Sequence, residues 1–142
     1  MAQNLIILPV SVQVLLTCIV LFILAKRRRH FLRARGKSPQ DMALAERSAW
    51  EMAAQKAANN YINLFELPVL FYAVAAFALI TRTVDGWMLA LAWAFVASRS
   101  VHSAVHLTTN VVRWRGPVFL FGFIVLVAMW VLMVWRVLQT GL

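Results

Sequence analysis

The sequence is too apolar and too poorly charged for a soluble domain. Of its 142 residues 63% are hydrophobic and 13% are charged, and a single core of this size cannot enclose that much apolar surface. The net charge of +9 comes from 14 Lys and Arg against five acids. These charges cluster at the ends of apolar runs, which indicates membrane topology rather than nucleic-acid binding. The single Cys18 excludes an intramolecular disulfide and a cysteine-based metal site.

Four apolar runs predict four transmembrane helices, at residues 5–25, 62–80, 87–105 and 118–137. At 1.5 Å per residue the first run is about 32 Å long, which is enough to cross the core of a bilayer. No positive charge precedes it and no small-residue cleavage site follows it, so we expect a retained helix rather than a signal peptide. The sequence therefore predicts an all-α integral membrane four-helix bundle, with residues 1–142 forming one domain.

The stretch between the first two runs predicts a cytoplasmic extension of the second helix. Ser38 is typical of an N-cap, Pro39 of the first helical position and Asp41 of the first turn. Residues 42–58 are rich in Ala, Glu, Met, Gln and Lys, which favour helix. We therefore expect the second helix to begin near Pro39 and to enter the membrane without a break.

Two prolines predict local features of the second and fourth helices. Pro68 lies inside the second apolar run, where it removes one backbone hydrogen bond and should bend the helix. Gly116 and Pro117 precede the fourth run, and proline suits the first turn of a helix. We therefore expect the fourth helix to start at this pair.

The distribution of basic residues predicts the orientation in the membrane. The loop of residues 26–61 holds nine Lys and Arg, and the third link adds Arg113 and Arg115. The second link holds only Arg82, and the C-terminal end only Arg136. The positive-inside rule therefore places loop 26–61 in the cytoplasm and both termini outside it. We expect a multi-pass protein of a bacterial inner membrane, in contact with membrane lipids.

Polar residues form two helical stripes near the predicted cytoplasmic ends of the second and third helices. The first stripe has spacings of three, four and three, and comprises Lys56, Asn59, Asn63 and Glu66. The second has spacings of four, three and four, with His102 beside it, and comprises Arg99, Ser103, His106 and Asn110. Such spacings place each set on one face of its helix.

These stripes predict a cationic pocket around a buried carboxylate. Glu66 lies within an apolar run, where a carboxylate needs a cationic partner. Arg115 precedes the fourth helix, whose free N–H groups and dipole add positive potential, and Arg27 lies at the end of the first helix. Ionisable residues in membrane spans usually face the bundle interior, so this pocket is a candidate functional site.

Structural roles compete with this interpretation. Arg27 and the arginines after it are typical of topology determinants and of contacts with lipid phosphates. Asn59 and Asn63 suit interhelical hydrogen bonds. His102 and His106 suit buried histidines with satisfied hydrogen bonds. Their spacing also permits a metal with Glu66 as a third ligand, or haem or quinone binding, but the leading interpretation has no metal.

The residues of the two stripes resemble the MAPEG superfamily, the membrane-associated proteins in eicosanoid and glutathione metabolism. The similarity lies in Asn-Asn-Tyr-Ile-Asn-Leu-Phe-Glu-Leu-Pro at 59–68, in Arg-Ser-Val-His-Ser at 99–103 and in Arg115. The superfamily includes microsomal glutathione transferases, leukotriene C synthases and the inducible prostaglandin E synthase. The resemblance implies a homotrimer of four-helix protomers that binds glutathione between adjacent subunits near the cytoplasmic face.

The resemblance also implies roles for individual residues. Arg115 matches the arginine that activates the thiol. The implied glutathione-binding residues are Arg27, Asn59, Asn63, Glu66, Arg99, His102 and His106. Three positions depart from the family pattern: Asn59 stands in place of an arginine, His106 in place of a tyrosine, and Gly116 in place of a serine after Arg115.

The chemistry of glutathione agrees with these residue types. Arginines suit its two carboxylates, Glu66 its ammonium group and Asn63 its peptide groups. A free thiol has a pKa of about 8.5, which a nearby cation such as Arg115 lowers. The leading hypothesis is a glutathione-dependent transferase or peroxidase for lipophilic electrophiles, with no nucleic-acid partner. The alternative is a non-catalytic scaffold, or an accessory subunit of a larger membrane-protein complex.

Overall fold

Regular structure is helical throughout the part of the chain that the computed structural model describes, residues 2–43 and 49–139. After a 3-10 turn at Ala2–Ile6, the helices are α1 (Ile7–Arg35), α2 (Met52–Asn63), α3 (Leu67–Ile80), α4 (Gly86–Leu107) and α5 (Val112–Gln139). Four segments are long and apolar enough to span a membrane, with α2 and α3 together forming the second. The prediction of a multi-pass, four-span helical protein is therefore confirmed.

Helix α1 continues well beyond the predicted span of residues 5–25 and carries its arginines away from the apolar segment. It ends at Gly36, whose φ of 59° is left-handed. The N–H groups of Gly36 and Lys37 donate to the carbonyls of Arg33 and Leu32, at 3.3 and 3.0 Å. Glycine adopts this conformation without steric cost, so the helix stops there.

The prediction that the second helix begins near Pro39 is wrong. Ser38 and Asp41 do cap each other, with N···O distances of 2.7 and 3.2 Å, and the bonds from Ser38 lower the pKa of Asp41. The capped segment forms only a 3-10 turn at Gln40–Met42, and α2 begins at Met52. Residues 44–48 lie outside the described part of the chain. Favourable propensity amounts to only tenths of a kcal/mol per residue, roughly, and does not by itself extend a capped turn.

The prediction of an uninterrupted second span is also wrong, although Pro68 was located correctly as its weak point. The helix stops after Asn63 and restarts at Leu67, with Pro68 in the first turn of α3. A tight turn fills the gap, with the Phe65 N–H donating to the Ile62 carbonyl at 2.8 Å. Pro68 has no N–H to offer the Leu64 carbonyl, so the chain is interrupted rather than only bent.

Helix α5 begins before the predicted Gly116–Pro117 start, and Pro117 lies inside it. The N–H groups of Trp114 and Arg115 both donate to the Val111 carbonyl at 3.1 Å, which forms the first turn. At its position Pro117 removes only the bond to the Arg113 carbonyl. The link between α4 and α5 is therefore shorter than the sequence suggested, and it holds Arg115 close to the end of α4.

The interior divides into an apolar half and a polar half. The apolar core joins the start of α4 to α3 and the end of α5. Within it Phe71 stacks on Phe95 with ring centroids 4.6 Å apart, and Met88 and Met129 are fully buried. Most of the buried polar residues in the described part of the chain gather toward the other end of α4, among them Asn60, Arg99, His102, Ser103 and His106, whereas Gln13 and Thr83 are buried elsewhere. The candidate site lies at this polar end.

Candidate functional site

Five of the predicted site residues line one cavity of about 270 Å³: Asn59, Asn63, Glu66, His106 and Arg115. They come from three elements. The end of α2 supplies the amides of Asn59 and Asn63, and the turn between α2 and α3 supplies the carboxylate of Glu66. The last turn of α4 supplies His106, and the first turn of α5 supplies Arg115. The structure therefore brings together the two predicted stripes and the arginine that lies 49 positions beyond Glu66 in the sequence.

Arg115 is held by two acceptors. Its Nη1 donates to His106 Nε2 at 2.8 Å and to Asn110 Oδ1 at 2.7 Å. A guanidinium has no acceptor, so His106 Nε2 must accept. This geometry requires the neutral imidazole with its proton on Nδ1. The cavity therefore contains one permanent positive charge in a defined position.

Asn110 belongs to this arrangement, although it was not among the predicted binding residues. Its backbone is left-handed, with a φ of 56°, and its N–H donates to the Val105 carbonyl at 2.8 Å. The signal in the sequence was its position four residues after His106 on the same stripe. Its contact with Arg115 depends on the tight α4–α5 link, which the sequence-based boundaries had made longer.

The two amide residues of α2 are arranged along the helix. Asn63 Nδ2 donates to the Asn59 carbonyl at 2.9 Å. One turn earlier, Lys56 Nζ donates to the Thr108 carbonyl at 3.1 Å. This second bond ties α2 to the end of α4, so the two walls of the cavity are joined.

Glu66 is exposed, so the expectation of a buried carboxylate is wrong for the single chain. It lies on the rim of the cavity, in the turn between α2 and α3, where φ and ψ are −93° and −92°. Among residues 2–43 and 49–139, no cation forms an ion pair with it. The physical reason lies in α2 itself, because the helix buries Ala54, Ala57 and Asn60, whereas Asn59 of the same stripe as Glu66 is exposed.

Arg99 and His102 lie deeper than the cavity and do not line it. Arg99 is only 1% exposed. Its Nη2 donates to the Phe119 carbonyl at 3.4 Å, and its guanidinium lies over the rings of Phe119 and Phe95 at 4.9 and 5.7 Å. His102 packs 5.6 Å from the Phe119 ring and 5.8 Å from His106. Aromatic faces and one carbonyl therefore stabilise the buried charge of Arg99.

Arg27 also lies outside the cavity and bridges three helices. Its Nη1 donates to the Ala53 carbonyl and its Nη2 to the Leu107 carbonyl, both at 2.9 Å. These bonds join α1 to the first turn of α2 and to the end of α4. The Leu107 carbonyl lies at the C-terminus of α4, where free carbonyls attract cations, so this bond is favourable.

His102 and His106 do not combine with Glu66 into a metal site. Within the described ranges, no group of three or more His, Cys, Asp or Glu side chains lies close enough to hold an ion. Phe119 occupies one side of His102, and Arg115 occupies Nε2 of His106.

A larger cavity of about 640 Å³ adjoins the site through Asn59, which lines both. It lies between the end of α1 and the start of α2. Its lining combines the arginines Arg28 and Arg29 with apolar side chains that include Leu32 and Trp50. The guanidinium of Arg28 lies 4.9 Å from the Trp50 ring, so this cavity has both an apolar and a cationic part.

Comparison with known proteins agrees with the resemblance noted in the sequence. No match to the chain was found among curated proteins or among solved structures. The model of the MAPEG family matches residues 6–135. This range includes the second and third predicted spans, nearly all of the first and fourth, both polar stripes and Arg115. The chain therefore belongs to the MAPEG family.

Proposed function

We propose that the protein is a glutathione-dependent transferase or peroxidase that acts on lipophilic electrophiles. The observation that carries the proposal is the convergence of Arg115, Glu66 and the amides of Asn59 and Asn63 on one cavity. Membership of the MAPEG family is consistent with a glutathione-related function in a membrane.

The residues of the cavity complement the groups of glutathione. Glu66 is suited to its ammonium group, and the amides are suited to its peptide bonds. Arg115 carries a guanidinium, so it supplies a positive charge for a thiolate. A cation beside a thiol lowers its pKa and increases the reactive fraction at neutral pH.

The cavity of one chain forms only part of such a site. At about 270 Å³ it is slightly smaller than the pockets of about 300–1,000 Å³ that enclose small molecules. The exposed Glu66 faces outward, where a second subunit would cover it. The predicted homotrimer therefore belongs to this proposal, with glutathione bound between subunits.

The larger cavity supports a lipophilic second substrate. Because Asn59 lines both cavities, a lipophilic molecule in the larger cavity that extended as far as Asn59 would approach bound glutathione. In the transferase reaction the thiolate sulfur forms a bond to an electrophilic carbon, and the electron pair of the broken bond departs with the leaving group. In the peroxidase reaction two glutathione molecules reduce a hydroperoxide to an alcohol and water and become a disulfide.

Calorimetric titration of glutathione into the detergent-purified protein, with an ultraviolet difference spectrum for thiolate, tests the proposal. We expect binding with a thiolate band in the wild-type protein. Arg115→Ala should abolish the band and the turnover of a lipophilic electrophile while leaving the oligomer intact. Arg113→Ala is the matched control, because it removes the same charge from an exposed position on the same helical turn.

The opposite results favour the scaffold interpretation. No binding at millimolar glutathione, or unchanged turnover in Arg115→Ala, would contradict the catalytic proposal. Co-purification of stoichiometric membrane-protein partners would then support an accessory subunit.

A further inference from the structure

We propose that Asn110 is a positioning residue that fixes the orientation of the Arg115 guanidinium toward the thiol. The inference rests on the proposed function and names a residue through which that site acts. Asn110 lies in the link between α4 and α5, and its Oδ1 accepts from Arg115 Nη1 at 2.7 Å.

The two bonds at Nη1 leave the rest of the guanidinium available. A terminal guanidinium nitrogen carries two hydrogens, and both are used here, by His106 Nε2 and Asn110 Oδ1. Two acceptors on one nitrogen of a planar group determine the plane as well as the distance. The N–H groups of Nε and Nη2 then remain for an anion, and five donors in a fixed fork suit such recognition.

Asn110 is anchored through its backbone. Its N–H donates to the Val105 carbonyl at 2.8 Å, independently of its side chain. His106, the other acceptor, lies in the last turn of α4 and is 2% exposed. The two acceptors therefore reach Arg115 from separate segments, the link and the helix.

Asparagine suits this position for two separate reasons. The left-handed φ of 56° is tolerated by asparagine and glycine more readily than by other residues. The amide is also neutral, so it orients Arg115 without cancelling its charge. The backbone requirement and the side-chain function are therefore separable by substitution.

Asn110→Gly makes that separation. Glycine adopts the left-handed backbone freely, so a purely structural role predicts a normal protein. The positioning role predicts that Arg115 loses its second acceptor and becomes mobile. The other ionisable groups near the cavity are Lys56, Glu66 and the two histidines of α4, and none of them is altered by this variant.

Two measurements on the full-length protein are required. Nitrogen-15 NMR of the Arg115 guanidinium, assigned with Arg115→Lys, should show slowed rotation in the wild type and free rotation in Asn110→Gly. The pH profile of the glutathione thiolate band should move upward by about one unit in the variant, which is roughly a tenfold lower thiolate fraction at neutral pH. Glutathione affinity measured at pH 6, where the free thiol is protonated, should change little.

Asn110→Asp and Arg82→Gly complete the test. Aspartate keeps an acceptor but adds a negative charge, so Arg115 should stay ordered while the thiolate fraction falls. Arg82 has the same left-handed φ of 56° at the opposite end of the bundle, so Arg82→Gly should leave both readouts unchanged. A wild-type Arg115 signal and thiolate profile in Asn110→Gly would overturn the inference. If the wild type forms no thiolate but Asn110→Gly frees Arg115, the proposed function fails and the positioning by Asn110 stands.

Discussion

Gly122 determines how Arg99 fits inside the bundle. A Cβ at this position would lie 2.5 Å from Ser98 Oγ and 2.9 Å from Arg99 Nη2. Ser98 Oγ is itself bonded to the Phe95 carbonyl at 2.7 Å, so it cannot move aside without losing that bond. The missing side chain of Gly122 therefore provides the space that the guanidinium occupies between α4 and α5.

Replacing Gly122 by alanine should destabilise the protein, with Gly116→Ala as the matched control on the same helix. Overpacking at Gly122 is expected to cost about 1–3 kcal/mol. Nothing lies within 4 Å of a Cβ at Gly116, so alanine there should stabilise the helix by about 0.5–1 kcal/mol. Thermal unfolding in detergent measures both. If Gly122→Ala raised the unfolding temperature as much as Gly116→Ala does, Arg99 would not need the space at Gly122.

At the scale of elements, Asp85 joins the start of α4 to the end of α5. Its Oδ1 accepts from the Met88 N–H at 2.9 Å as an N-cap, and its Oδ2 pairs with Arg136. Arg136 also donates to the Thr83 carbonyl at 2.8 Å. The hydrogen bond from Arg136 is the main reason that the pKa of Asp85 lies below its ordinary value of 3.8.

Asp85→Asn should lower stability at neutral pH and leave it unchanged in acid. A carboxyl whose pKa is depressed by folding stabilises the protein above its unfolded pKa, and this contribution is lost as the pH falls through the folded value. The side chain is 40% exposed, so the effect should be about 1 kcal/mol or less. Asparagine retains the cap. Unfolding midpoints at pH 7 and at about pH 3 test this: a gap between variant and wild type that fails to narrow in acid would contradict the role of the ion pair.

Arg27 is expected to stabilise the packing of three helices. Arg27→Ala removes two hydrogen bonds to carbonyls from a charged donor, and should lower the free energy of unfolding by about 2 kcal/mol. Arg33→Ala is the control, because Arg33 is exposed on the same helix. Glutathione affinity, measured on the same samples, separates this role from the ligand contact that the family resemblance implies. A loss of affinity without a loss of stability would favour the ligand contact.

At the scale of the whole molecule, the single chain leaves its site open. Apolar side chains are exposed along α1 and α5, as expected for helices that face lipid or other subunits. Glu66 is exposed beside them, and a carboxylate at such a surface is costly in contact with lipid. Both features are explained if neighbouring subunits cover part of this surface.

Native mass spectrometry tests the assembly. We expect a complex with three times the mass of the 16.1 kDa chain, and glutathione binding that disappears when the complex is dissociated by harsher detergent. Recovery of binding after return to mild detergent controls for irreversible damage. A monomer that binds glutathione with full affinity would contradict the proposal of a site shared between subunits.

The local patterns of the sequence predicted the spans and most of the cavity. The spacing of four placed Asn59 and Asn63 together because it follows from helix geometry alone, and Glu66 lines the same cavity although the helix is interrupted after Asn63. The helix boundaries at Pro39 and Pro117 were less predictable. A cap or a proline permits a helix start, but packing and competing turns select among the permitted positions.

Four helical membrane spans were predictable from the amino-acid sequence, because hydrophobic length and helix period are local properties. Its motifs also indicated the MAPEG family and the residue types of the site. No local pattern predicted three arrangements that the folded chain shows. Arg99 and His102 lie deeper than the cavity, Arg27 bridges two carbonyls, and Asn110 and His106 hold Arg115. These contacts join separate helices, and their geometry depends on how each helix ends and packs against the next.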